Sequence, residues 1–169
     1  MTELLCIGLG ANLGDRVAVL SSALAACTAH FGPPLAVSSW WETAAWGMAE
    51  GTPPFLNGAA AFALDGKDPD AVLDTLLAIE RAHGRMRLPE PGYVSRTLDL
   101  DVLLFGKAQL SNARLTVPHP RMSARRFVLA PLAEVAPFAD VPGTGCTVAE
   151  LLAACPDTAH VARLHPALP

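Results

Sequence analysis

Apolar and polar positions along the chain change their period several times, and each change marks an element. Residues 4–9 (LLCIGL) form a short apolar run that reads as a buried strand. After Gly10-Ala11-Asn12-Leu13-Gly14, residues Val17, Leu20, Leu24, Cys27 and Phe31 recur at helical spacing. Asp15 is the N-cap of that helix and Gly32 its stop. Beyond Pro33-Pro34, residues 35–42 alternate (Val37, Ser39 and Trp41 against Ser38 and Trp40) and predict a second strand. Residues 43–54, with two glycines and two prolines, predict a long loop, a length that in compact folds often goes with function. Residues 58–64 read as a third strand and residues 65–67 as a turn. Asp68-Pro69 then places an N-cap before proline at N1, opening a helix that carries Val72, Leu73, Leu76, Leu77 and Ile79 and ends at Gly84. Residues 85–95 have no period and hold two prolines and Gly92, so they predict a loop and a candidate lid.

Residues 96–106 (RTLDLDVLLFG) alternate, turn fully apolar and stop at glycine, which predicts a buried central strand. Residues 107–112 follow as a turn with a short edge strand. Pro118-His119-Pro120 is rigid and nonhelical. Residues 125–135 predict a helix broken or restarted at Pro131, and Thr147 with Glu150 forms a capping box that opens a last helix to about Cys155. Hairpin-like connections among the strands favour an α+β fold with a mostly antiparallel sheet covered by helices, one domain over residues 1–169.

Asp99 and Asp101 fall on one face of the central strand, and Leu98, Leu100 and Val102 on the other. Two carboxylates about 7 Å apart along a strand repel each other unless a cation lies between them. Oxygen ligands of this kind suit magnesium, which bridges protein carboxylates to substrate phosphates. The plain alternative is an amphipathic strand with a wet acidic face. The distribution of arginines weighs against it. Nine of the 12 Lys and Arg residues lie between Arg81 and Arg126, and eight of those are arginine, the fork that matches phosphate oxygens. A net charge of -4 and a pI near 5.7 offer no dominant basic face for nucleic acid. The combination points to a small polyphosphate with its metal.

Composition narrows the class further. The 169 residues are 51% hydrophobic with a mean hydropathy of +0.34, yet no apolar run approaches the roughly 20 residues of a spanning helix. Glu3 precedes the first apolar stretch and no basic flank is present, so no signal peptide is expected and the cytoplasm is the default. Cys6, Cys27, Cys146 and Cys155 show no C-x-x-C spacing and read as small buried apolar residues. The first strand, its glycines and the helix after them invite a dinucleotide-binding reading, but the fingerprint needs a third glycine where Leu13 stands. A tight turn accounts for the glycines instead.

Five stretches, taken in order, resemble one family: Gly8-Leu9-Gly10-Ala11-Asn12-Leu13-Gly14; Phe55-Leu56-Asn57; Ile79-Glu80 with Gly84-Arg85-Met86-Arg87; Arg96-Thr97-Leu98-Asp99-Leu100-Asp101; and Val117-Pro118-His119-Pro120-Arg121. It is the 6-hydroxymethyl-7,8-dihydropterin pyrophosphokinases of folate biosynthesis. The resemblance runs from Gly8 to about Pro137. It implies a three-layer α/β/α fold around a mixed, mostly antiparallel sheet, related to the ferredoxin-like arrangement. It also implies transfer of pyrophosphate from ATP to the pterin hydroxymethyl group with release of AMP. Asp99 and Asp101 would hold two magnesium ions, and Arg85 and Arg96 would join them in catalysis. Phe55 and Phe127 would stack the pterin, Asn57 would read its edge, and Thr43 and Trp46 would meet it through backbone groups. Glu80, Arg85, Arg87, Arg96, Arg114, Thr116, His119 and Arg125 would serve ATP. The implied partners are these two small molecules, with no nucleic acid, membrane or obligate protein.

Residue types alone leave alternatives beside that reading. A phenylalanine packs a core more often than it stacks a ligand. Asn57 could cap a turn, His119 could be structural between its prolines, and Glu80 could be an exposed helix carboxylate. Arg81 and Arg126 could be solvated helix charges. A metal-dependent phosphohydrolase and a noncatalytic pterin or nucleotide sensor remain open as functions. In many relatives the loop before the central strand carries an arginine and a tryptophan; here residues 90–95 read EPGYVS. Leu77 and Ala44 also depart from common family residues.

Overall fold

The computed structural model describes residues 2–45, 48–84 and 97–164. Its elements run β1 (Leu4–Ala11), α1 (Arg16–Phe31), β2 (Ala36–Val37), β3 (Trp41–Thr43), β4 (Phe55–Ala63), α2 (Pro69–Ala82) and β5 (Asp99–Phe105). They continue with β6 (Leu110–Ser111), β7 (Thr116–Val117), a 3₁₀ turn (Met122–Ala124), α3 (Arg126–Val135), β8 (Asp140–Val141), β9 (Cys146–Thr147), α4 (Val148–Ala154) and β10 (Val161–Arg163). The main sheet has the order β10-β3-β4-β1-β5, with β2 also on β4. Every pairing among the described strands is antiparallel.

Strand alternation divides the core into two faces. Leu5, Ile7, Leu9 and Ala11 of β1 join Leu56, Ala60 and Phe62 of β4 and Leu100 and Val102 of β5 beneath α1 and α2. Cys6 of β1, Ala59 and Ala61 of β4, and Leu103 and Leu104 of β5 lie beneath α3 and α4, which contribute Leu129, Leu132 and Val148. The three-layer α/β/α expectation holds. A bulge opposite Cys6 and Ile7 lets Leu103 and Leu104 face the same core, so Asp99 and Asp101 keep their phase while the strand end changes its own.

Local signals place the helices as read. Asp15 accepts from Ala18 N at 3.0 Å, Asp68 from Ala71 N at 2.9 Å, and Thr147 with Glu150 closes a complete capping box.

Four expectations change. Residues 35–42 are not one strand, because side-chain acceptors interrupt the ladder at Ser38 and Ser39. Ala59 N donates to Ser38 Oγ at 2.8 Å and Ser39 N to Glu134 Oε2 at 2.7 Å. The strand after the long loop starts at Phe55 rather than at residue 58. The helix does not break at Pro131. The consecutive Leu129, Ala130, Pro131 and Leu132 are all buried there, and packing offsets the roughly 3 kcal/mol that an interior proline costs. The tight-turn reading holds for Gly14, at φ 67°, whereas Gly8 and Gly10 are strand positions without positive φ.

Candidate active site

The site grows out of the sheet register. Gly10 of β1 pairs with Asn57 of β4 on one side and Asp99 of β5 on the other; Gly8 pairs with Ala59 and Asp101 in the same way. Paired residues share a face, so Asn57 and Asp99 stand two strand spacings apart, about 9.5 Å, across a strip with no side chain. A Cβ on Gly10 would come within 3.0 Å of Asn57 Oδ1, and one on Gly8 within 3.3 Å of Leu103. On the opposite face the ring of Trp40 fills the space under Gly58, where a Cβ would meet it at 2.3 Å. The floor is therefore bare above and packed solid below.

Arg125, Phe127 and Val128 roof this strip, making a cleft of about 60 Å³ with Gly8, Gly10, Asn57, Asp99 and Asp101 among its walls. Arg125 lies over the Phe127 ring, 5.7 Å from its centroid. Both residues also border an outer cavity of about 570 Å³ with Arg121 and the segment 156–158. Asn57 is buried and its Nδ2 donates to Thr43 Oγ1 at 3.3 Å, which fixes the amide from the β3 side. It sits inside β4, so the turn-cap alternative falls.

On the α2 side, Asp99 and Asp101 line a second cavity of about 350 Å³ with Leu77, Glu80, Arg114, Thr116 and His119. Glu80 is 2% exposed and accepts from Leu100 N at 2.8 Å, so it is a buried anchor of α2 on β5 and not an exposed helix carboxylate. Arg114 donates to Asp70 at 3.0 Å and to Asp74, both on α2. Burial, reinforced by the nearby Arg125, holds the His119 imidazole below its usual range although Asp99 pulls it upward. Arg121 N donates to His119 Nδ1 at 3.3 Å, which leaves the proton of the neutral ring on Nε2.

The structure thus brings Asp99, Asp101, Asn57, Phe127 and Arg125 to one cleft, and the same two aspartates, Glu80, Arg114, Thr116 and His119 to the other, so Arg125, expected to serve ATP, stands in the first cleft beside Phe127 and not in the second. Thr43 and Phe55 stand further out: they pair on β3 and β4 and line neither cavity among the described residues. Arg85, Arg87, Arg96, Trp46 and the loop substitution at 90–95 lie outside the described residues. Arg126 is half-buried and bonded to Asp157, unlike the solvated charge foreseen, whereas Arg81 is exposed as read. The sequence reading missed Gly8 and Gly10 as a floor. Two glycines at i and i+2 of a strand share a face and signal close approach there. It also missed Asn12 and Arg16, whose bonds to the Pro53 and Pro54 carbonyls, at 3.2 and 2.9 Å, tie down the end of the long loop. No local pattern announced those.

Two cavities of different character sharing one carboxylate pair are the layout of a group-transfer enzyme with two substrates. Residues 6–137 match the family described as 7,8-dihydro-6-hydroxymethylpterin-pyrophosphokinase (HPPK). A 2-amino-4-hydroxy-6-hydroxymethyldihydropteridine pyrophosphokinase of Synechocystis sp. is 42% identical over 147 residues, covering 86% of this chain and 73% of its own length. Its namesake in Pseudomonas aeruginosa is 42% identical over 157 residues, covering 92% and 94%. Among solved structures, a Plasmodium falciparum HPPK-DHPS triple mutant matches with TM-score 0.70 at 15% identity over 91% of this chain. This chain spans 44% of that longer one, and the likeness speaks for the fold. The chain belongs to the 7,8-dihydro-6-hydroxymethylpterin-pyrophosphokinase family.

Proposed function

We propose that the chain moves the terminal pyrophosphoryl group of ATP onto the hydroxymethyl oxygen of 6-hydroxymethyl-7,8-dihydropterin, as a single cytoplasmic domain serving folate biosynthesis. The observation that carries this reading is that Asp99 and Asp101 line both cavities. A polyphosphate in one and a flat ring in the other would meet at the carboxylates and nowhere else.

In this reading the hydroxymethyl oxygen bonds to the β-phosphorus and the bond from that phosphorus to the α,β-bridging oxygen breaks. AMP carries the bridging oxygen away, and the hydroxyl proton goes to water. Asp99 and Asp101 offer only hard oxygen donors, and among the described residues no three of His, Cys, Asp and Glu gather into a metal cluster. Two carboxylates that leave the other positions to water and phosphate fit magnesium, and we assign them two ions. Bound there, magnesium would neutralise phosphate charge and acidify the attacking hydroxyl, so that no strong protein base is required.

The chain's own residues supply position. Neutral His119 can donate from Nε2 to a phosphate oxygen, and Arg114, steered by Asp70 and Asp74, presents its guanidinium at the same cavity. We assign Arg85 and Arg96 to the phosphates and Arg87 and Thr116 to ATP on the family pattern. Asn57 faces the ring edge, Thr43 orients Asn57, and Phe127 stacks, with Phe55 as an outer contact; Trp46 is assigned to the ring through its backbone on the family pattern alone. At about 60 Å³ the inner cleft is well below the several hundred typical of small-molecule sites, and Arg125 and Phe127 border both it and the outer cavity, so we place the ring across the two.

Incubating the protein with magnesium, ATP and the pterin and resolving the products chromatographically tests the reading. It expects AMP in step with pterin diphosphate. ADP or free phosphate would contradict it, as would pterin binding without turnover.

A further inference from the structure

The helix that carries Phe127 starts without a cap of its own. Arg125 at its N-cap position makes no side-chain cap bond, and a helix leaves its first amide groups without intrahelical partners. The acceptor comes from far along the chain. Arg126 N donates to Asp157 Oδ2 at 3.0 Å, and Arg126 Nε donates to the Asp157 carbonyl at 2.9 Å. The other carboxylate oxygen accepts from Ala159 N at 2.9 Å and turns the chain towards β10. There Val161 pairs with Thr43, while Arg163 Nε donates to Ser39 Oγ at 2.7 Å and lies 3.4 Å from Glu134 of α3. The segment 157–163 therefore ties both ends of α3 to the β3 edge. It lies beyond residue 137, where the family match ends.

We propose that Asp157 is a positioning residue for the pterin: it caps α3 from across the fold and so fixes where Arg125 and Phe127 stand over the glycine floor. The inference rests on the function proposed above. Arg125 and Phe127 flank the capped residue, and both border the inner cleft and, with Asp157, the outer cavity. A negative group at a helix N-terminus also complements the helix dipole. Both carboxylate oxygens are in use, so an amide can replace only one of the two bonds.

The test compares Asp157→Ala and Asp157→Asn with Thr147→Ala, which removes the α4 cap instead. The readouts are KM for pterin and for ATP, kcat, thermal midpoint, and hydrogen exchange in a peptide covering residues 126–129. Asp157→Ala should raise the pterin KM about five- to tenfold, as loss of a cap predicts, with the ATP KM within about twofold and faster exchange in the first turn of α3. Asp157→Asn should fall between it and the wild type. Thr147→Ala should lower the midpoint without either change. A pterin KM like the wild type in Asp157→Ala, or both KM values rising together as the midpoint falls, overturns the proposal. If Asp157→Ala does not fold, Asp157→Asn decides by the same split. Wild-type protein that makes no pterin diphosphate overturns the proposed function and this inference with it, before any variant is compared.

Discussion

One β-carbon at position 10 would stand 3.0 Å from Asn57 Oδ1, so tight that the amide would have to give way by a few tenths of an ångström. That distance explains why a strand at the centre of the sheet spends two positions on glycine, which packs nothing and weakens the strand. Gly8 and Gly10 keep the strip between Asn57 and the aspartates clear, and backbone freedom is not what they supply. Gly10→Val should therefore fold, since valine suits a strand, but should weaken pterin binding by at least about tenfold, or ~1.4 kcal/mol. Binding of an ATP analogue should be unchanged. Fluorescence titration of both ligands measures this, and an unaltered pterin affinity would show that the cleft is not where the ring lies.

At the scale of elements, α2 is keyed to β5 by a buried carboxylate. Glu80 accepts the Leu100 amide between the two aspartates, so the helix that walls one cavity and the strand that bears the aspartates are fixed together. Glu80→Ala should cost about 1–3 kcal/mol, because a buried N–H loses its acceptor, whereas Glu80→Gln should cost less. Urea unfolding of the two variants checks the order; equal stability of Glu80→Ala and wild type would refute the keying. Elements like these differ in how legible they are in sequence. Helices announced by Asp15, Asp68 and Thr147 lie where their caps put them, since a cap is a local bond. The Asp99–Phe105 strand was readable from its own alternation. β2 and β3 were not readable as two strands, because the break depends on Glu134, 95 residues from Ser39. β10 carries three residues of no clear period and exists through pairing with β3. Beside its family position near ATP, Glu80 had only the alternative of an exposed helix carboxylate, because its partner is a backbone amide that no pattern names.

Over the whole molecule, sequence motifs named the candidate residues, and the sheet brings the described ones together. Asp99 and Asp101 could be placed on one face from alternation alone, but their place between two cavities follows from the α2 and α3 layers on opposite sides of the sheet. The same layering governs the thiols. Burial pushes Cys6 and Cys27 up to about 12, and Cys155 is also buried, which leaves Cys146 as the half-exposed one. A thiol reagent at pH 8 should modify Cys146 quickly in the native protein and all four cysteines only after unfolding. Rapid native modification of Cys6 or Cys27 would mean that the layers open. Pyrophosphoryl transfer in this protein should depend on the shared carboxylate pair, and the most direct measurement is AMP formation by Asp101→Asn, with pterin binding followed on the same sample. Turnover should fall at least about a hundredfold while the pterin still binds. Pterin diphosphate formed at close to the wild-type rate would contradict it.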